Sequence, residues 1–88
     1  MKNFDEIRNK YRSEVINFIH PYRVAPPEQV INVMVDTLLT RDCEIIGGDF
    51  SKAVIENNLY EAILRADSDC LQHLKMIVII ANQLYLKK

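Results

Sequence analysis

Cys70 and His73 stand three residues apart. On a helix that spacing puts a thiol and an imidazole on one face, which suits two zinc ligands. A zinc site needs more than two, so Cys43, His20 or Asp67 would have to complete it. The same pair has the composition of a Cys–His nucleophile, which requires a neighbour that stabilises the thiolate. Asp69, next to Cys70, works the other way and raises the thiol pKa. The plainer reading is a thiol that fills core space and a histidine at the surface. Asp42, Glu44 and Asp49 gather around Gly47 and Gly48. Paired carboxylates there could do acid–base work or hold a hard cation, but a solvated acidic turn has the same composition. The two glycines lack the GxGxxG or GxxxxGK context of a phosphate loop. The expectation is a protein with no catalytic residues, no cofactor and no metal.

Charge points to a binding role. The 88 residues carry a net charge of −1, unevenly spread. Residues 1–27 hold five bases and three acids, residues 28–69 nine acids and three bases, and residues 70–88 three lysines. Binding to nucleic acid by bulk electrostatics needs clustered Lys and Arg with little acid beside them. An acidic middle repels DNA and attracts a basic surface, although an ordinary solvated face looks similar. Two cysteines are too few for a disulfide framework. The polar start has no apolar h-region, and the longest apolar run is far short of a membrane span. The expected setting is a reducing cytoplasm, with no membrane contact.

Four segments must position whatever chemistry exists. Residues 3–20 read as a helix, because Phe4, Ile7, Tyr11, Val15, Phe18 and Tyr22 step along one stripe. Asn3 is a candidate cap, and Pro21 ends the helix. Residues 21–27 contain three prolines and form a stiff elbow, with Pro27 suited to the first position of the next helix. Residues 27–40 read as a second helix, although their β-branched content leaves a strand open. Residues 41–49 form a connection in which Gly47 and Gly48 supply positive φ. Residues 50–66, capped by Asp49 or Ser51, read as a third helix with Ile55, Leu59, Ala62, Ile63 and Ala66 on its inner face. Asp67 to Asp69 break the pattern and cap a fourth helix over about 69–86. Its seam is Leu71, Leu74, Val78, Ala81 and Tyr85, and Lys87 and Lys88 complement its negative end. The reading is one all-α domain over residues 1–88, a compact bundle of about four helices.

The run Met-Ile-Val-Ile-Ile-Ala at 76–81 covers the whole circumference of a helix. Three other short helices leave part of it uncovered, and a symmetric copy is the simplest cover. This predicts a homo-oligomer, dimer or tetramer, with Leu74, Met76, Ile77, Ile79, Ile80 and Leu84 at its interface. The alternative for the run is a buried central strand.

A helix-turn-helix around residues 49–67 is the main rival. A recognition helix exposes basic and amide side chains, and here Lys52, Asn57, Asn58 and Arg65 compete with Glu56, Glu61 and Asp67. A short, motif-free, all-helical, self-associating chain resembles, in size and layout, the small antirepressors of temperate enterobacterial phages. That resemblance implies a homo-oligomer that binds a DNA-binding repressor and releases it from its operator without touching DNA. It carries over no individual residue. Exposed aromatics and arginines are the usual anchors of such contacts, so Tyr22, Arg23, Tyr60 and Arg65 are the candidate partner-binding residues. The alternative function is a small helix-turn-helix-like transcriptional regulator that binds DNA itself.

Overall fold

Val30, Met34, Val35, Thr37, Leu38 and Leu39 are all shielded from solvent, and they belong to one helix. The computed structural model describes residues 4–23 and 25–86. In chain order it has α1 (Phe4–Ile19), a 3-10 turn (His20–Tyr22), α2 (Glu28–Arg41), α3 (Asp49–Ile55), α4 (Leu59–Arg65), α5 (Ser68–Gln72) and α6 (Leu74–Gln83). No strand occurs among the described residues, so residues 28–40 and 76–81 are both helical. The chain is all-α, with six α-helices among the described residues in place of the four expected. Asn3, Lys87 and Lys88, expected to cap or complement helix ends, lie outside the described residues.

α2 is the central element and packs against α1, α3, α5 and α6. Its buried positions step by 4, 1, 2, 1 and 1, wider than one amphipathic stripe, as befits a helix covered on several sides. The carbonyl of Pro27 accepts from the amides of Val30 and Ile31, so this proline is the N-cap and not the first helical residue. α1 lies antiparallel to α2, because Arg8 bonds Asp36 and Arg12 bonds Glu28 in opposite chain directions. Tyr11, Val15 and Ile19 are the buried face of α1. Phe4 and Tyr22, counted as the two ends of that stripe, are about half exposed. The 3-10 turn at Pro21 breaks the 3.6-residue period before Tyr22 can join it.

Two expected long helices are each divided. Over residues 50–66 the break falls at Asn57, which has φ 59°. The amide of Asn58 reaches back to the carbonyl of Ala53 at 2.8 Å, closing α3 with a Schellman-type bond. The side chain of Asn58 then caps α4 by accepting from the Glu61 amide. Asparagine is the residue that tolerates both roles. Over residues 69–86 the break falls at His73, and Asp67 caps α5 by accepting from the Cys70 amide at 2.8 Å. The break rotates the register. Ile77, Ile80 and Ala81 form the buried face of the last helix, with Leu84 buried just past its end, and Leu71 and Tyr85 of the expected seam are exposed.

The α2–α3 connection also differs from expectation. Positive φ falls on Cys43 (63°) and on neither glycine. Cys43 ends α2 in the left-handed region, and the Glu44 amide bonds the Leu39 carbonyl at 2.8 Å. Gly47 is needed for space: a Cβ there would sit 2.0 Å from Oγ1 of Thr40. Gly48 is the N-cap of α3. Ser51, proposed as a cap, turns inward, and its hydroxyl meets that of Thr37 at 3.1 Å between α2 and α3.

Arg41 joins the end of α2 to the end of α6. Its guanidinium donates to the carbonyls of Ala81 (3.0 Å) and Leu84 (2.6 Å) at the end of α6. It also pairs with Asp42 at 2.8 Å and lies 4.7 Å from the centroid of the Tyr85 ring. Asp42 in turn accepts from the Tyr11 hydroxyl at 2.8 Å. Burial, and then the bond to the Asp42 carboxylate, push the Tyr11 pKa up to about 12.

Arg41→Met should lower unfolding free energy by about 2–3 kcal/mol in urea, because it strands part-buried carbonyls and a carboxylate. Arg12→Ala, at the solvent edge, should leave the midpoint nearly unchanged. An ordinary tyrosine ionises near 10, so the neutral Tyr11 adds stability below pH ~10 that is lost as pH climbs through about 12. Tyr11→Phe should flatten that alkaline decline in a pH series of denaturant melts.

Candidate functional site

Burial sorts the sequence-predicted residues into three groups. Ile77, Ile80 and Leu84, expected at a subunit interface, are at most 8 % exposed and fill the protomer's own core. The premise that so short a chain leaves the whole 76–81 run in need of a second copy is therefore corrected for these three. α2 and α3 cover that face, because α2 is central and presents apolar side chains on several sides. Leu74, Met76 and Ile79 are half-buried and remain reachable. Tyr22, Arg23, Tyr60 and Arg65 are exposed.

Two of these groups meet. A groove at the side of α6 is lined by Tyr22, His73, Met76 and Ile79, with Gln72 and Lys75 at its edge. Tyr22, read as a partner contact, thus sits with Met76 and Ile79, read as self-association contacts. The Tyr22 ring is held by Phe18, with centroids 5.7 Å apart. Arg23 takes φ 56° beyond the 3-10 turn and lines a separate shallow surface with His20, Pro21 and Ala25.

The densest apolar exposure lies on α4. Leu59, Tyr60, Ile63 and Leu64 are 62, 71, 45 and 58 % exposed, four large apolar side chains within seven residues. Residues four apart stack on one helix face, so Leu59 with Ile63 and Tyr60 with Leu64 form two adjoining rows. Their combined area is on the order of a few hundred Å2, the scale at which an apolar patch marks a contact site. Ala62 alone on this helix is buried, and it seats α4 on its main neighbour, α3. The rows run on into a shallow apolar groove lined by Val54, Leu59, Ala62, Leu74 and Val78. Arg65 is turned to the acids, 3.5 Å from Glu61 and 3.7 Å from Asp49.

Residue type marks Tyr60 as a contact candidate, while hydrophobic periodicity puts Leu59 and Ile63 on a buried face, because it runs one helix through 50–66. The signal that reveals the outer face is the Asn57-Asn58 pair, which resets the register before Leu59.

The thiol chemistry weighed at the outset does not assemble. Cys70 is buried, and burial together with the Asp67 carboxylate pushes its pKa up to about 11. Among the described residues, no group of three or more His, Cys, Asp and Glu side chains is placed to hold a metal ion. No helix among them is long and apolar enough to cross a membrane.

Comparison with protein-family models, with curated proteins and with solved structures found no match.

Iodoacetamide at mildly alkaline pH should modify the exposed Cys43 and spare Cys70 until the chain is unfolded. Peptide mass mapping before and after denaturant reads the difference, and equal labelling of the two thiols would contradict the burial of Cys70.

Proposed function

We propose that this chain is a small regulatory protein that works by binding another protein, with the outer face of α4 as its docking surface. The observation that carries the reading is the concentration of Leu59, Tyr60, Ile63 and Leu64 in the open on one two-turn helix. A helix with an apolar face in solution is the recognition element of helix-in-groove binding, and Tyr60 is of a residue type that anchors such contacts. The role is binding and not catalysis.

In its specific form the proposal is a phage antirepressor. The partner is a DNA-binding transcriptional repressor, which the protein dislodges from its operator to trigger prophage induction in the cytoplasm of a bacterial host. The resemblance in size and helical layout supports this form, and so does the acidic middle of the chain, which suits a protein whose own function is to hold DNA. In this reading the protein acts as a dimer or tetramer. Leu74, Met76 and Ile79, with Tyr22 beside the latter two, are the self-association contacts left accessible once the core has taken Ile77, Ile80 and Leu84. Repeated copies of the α4 face would then grip an oligomeric repressor with avidity.

One observation favours the second reading, direct DNA binding. α3 and α4 are short helices joined by three residues, the layout of a helix-turn-helix. The chemistry of the second helix argues against it, since its outer face carries leucine, isoleucine and tyrosine where base edges require Arg, Lys, Asn or Gln.

Expression of the chain in a lysogenic host should raise prophage release. Tyr60→Asp with Leu64→Asp should abolish that effect while helicity by circular dichroism stays unchanged. Purified protein should give no salt-dependent, sequence-selective shift of duplex DNA. Such a shift, or induction that survives the double substitution, overturns the reading.

A further inference from the structure

We infer that the partner surface received by α4 is an apolar groove edged by lysine and arginine side chains. This inference rests on α4 as the docking face and adds what the partner must present.

The contact is short. A seven-residue helix spans about 10 Å at 1.5 Å per residue. It therefore offers only two side-by-side rows, Leu59 with Ile63 and Tyr60 with Leu64, and its matching surface is a groove about two helical turns long. Exposed leucine and isoleucine gain little from a polar surface, so the floor of that groove is apolar.

The edge follows from charge. Residues 49–69 contain five acids (Asp49, Glu56, Glu61, Asp67 and Asp69) and two bases (Lys52 and Arg65). Glu56 is exposed just ahead of α4, Asp67 is exposed just after it, and Glu61 flanks Leu64 along its side. Arg65 is engaged by Asp49 and Glu61. It projects on the side of the helix away from Ile63, since two residues advance about 200° at 3.6 residues per turn. The Asp67 carboxylate is held below its ordinary pKa by the Cys70 amide and so stays charged at neutral pH. The apolar rows thus have an exposed acid before and after them in the chain, and along one side two acids, Asp49 and Glu61, share the single base Arg65, so the border keeps a net negative charge.

That border discriminates among occupants. A second copy of this face, paired about a two-fold axis, would bring acidic rim against acidic rim, and like charges set face to face oppose association. A phosphate backbone meets the same repulsion. A groove with a basic edge gains on both counts, with faster encounter and a preferred orientation.

The test uses the full chain and two synthetic helical hairpins. Both have a leucine-lined interhelical groove, edged by lysine in one and by glutamate in the other, and each carries a fluorophore for anisotropy titration. The lysine-edged hairpin should bind at least tenfold tighter than the glutamate-edged one, and added salt should shrink that ratio. Leu64→Glu should remove binding of both. Glu56→Lys with Glu61→Lys should erase or reverse the preference, with helicity preserved as the control for folding. Equal affinities, or no binding of either hairpin, overturn the inference. So does a wild-type oligomer, seen by sedimentation, that Leu64→Glu dissolves, because a second copy would then be the occupant. The prophage assay stays independent: loss of induction in Tyr60→Asp/Leu64→Asp beside hairpins bound equally would keep α4 as the docking face and discard the basic-edged groove.

Discussion

The structure depends on one arginine. Arg41, at the end of the central helix, donates to the carbonyls of Ala81 and Leu84 and pairs with Asp42, which holds Tyr11. The last turn of α6 has no basic residue of its own, and the final carbonyls of a helix need partners. Arg41 supplies them from another element, so the closure of α6 is a tertiary interaction and not a local one. Three regions distant in sequence, around residues 11, 41 and 84, are thereby fixed at one end of the fold. A guanidinium suits this task better than an ammonium, because its planar fork serves two carbonyls and a carboxylate at once and its face can stack on Tyr85.

With that end fixed, the core closes between α1, α2, α3 and α6, and α4 contributes to it only through Ala62. The chain thus separates what holds it together from what it displays. Side chains that neutralise each other at the α1–α2 seam are charged pairs at the solvent edge, Arg8 with Asp36 and Arg12 with Glu28. Such pairs set the register of two helices more than they add stability. In the middle segment Glu28, Asp36, Asp42, Asp49 and Glu61 are paired with arginines, and because Asp49 and Glu61 share Arg65 the segment keeps an excess of negative charge.

Much of this was legible in the residues. The stripe through Ile7, Tyr11 and Val15, the stop at Pro21, the presence of a helix beyond the proline elbow and the cap at Asp67 follow from local rules, and local rules decide them. The breaks at Asn57 and His73 were not legible from hydrophobic spacing, because Ile55, Leu59, Ala62 and Ile63 fit one helical face as well as two. The choice is made by Asn58, whose amide closes α3 and whose side chain opens α4. Consecutive apolar residues point to 76–81 as the enclosed helix, yet that helix lies at 28–41, where Asn32 and Asp36 interrupt the pattern. Composition reports how greasy a segment is. Which segment sits in the middle is set by how many neighbours the topology gives it.

The joints on either side of α4 have a consequence of their own. Asn57 bends the chain into this helix with a positive φ, and Ala66 leaves it in an extended conformation. Between those joints the four outward side chains contribute almost nothing to the interior. Substitutions there leave the arginine clasp and the buried helix as they are, so the chemistry of this outer face can change without loss of the scaffold.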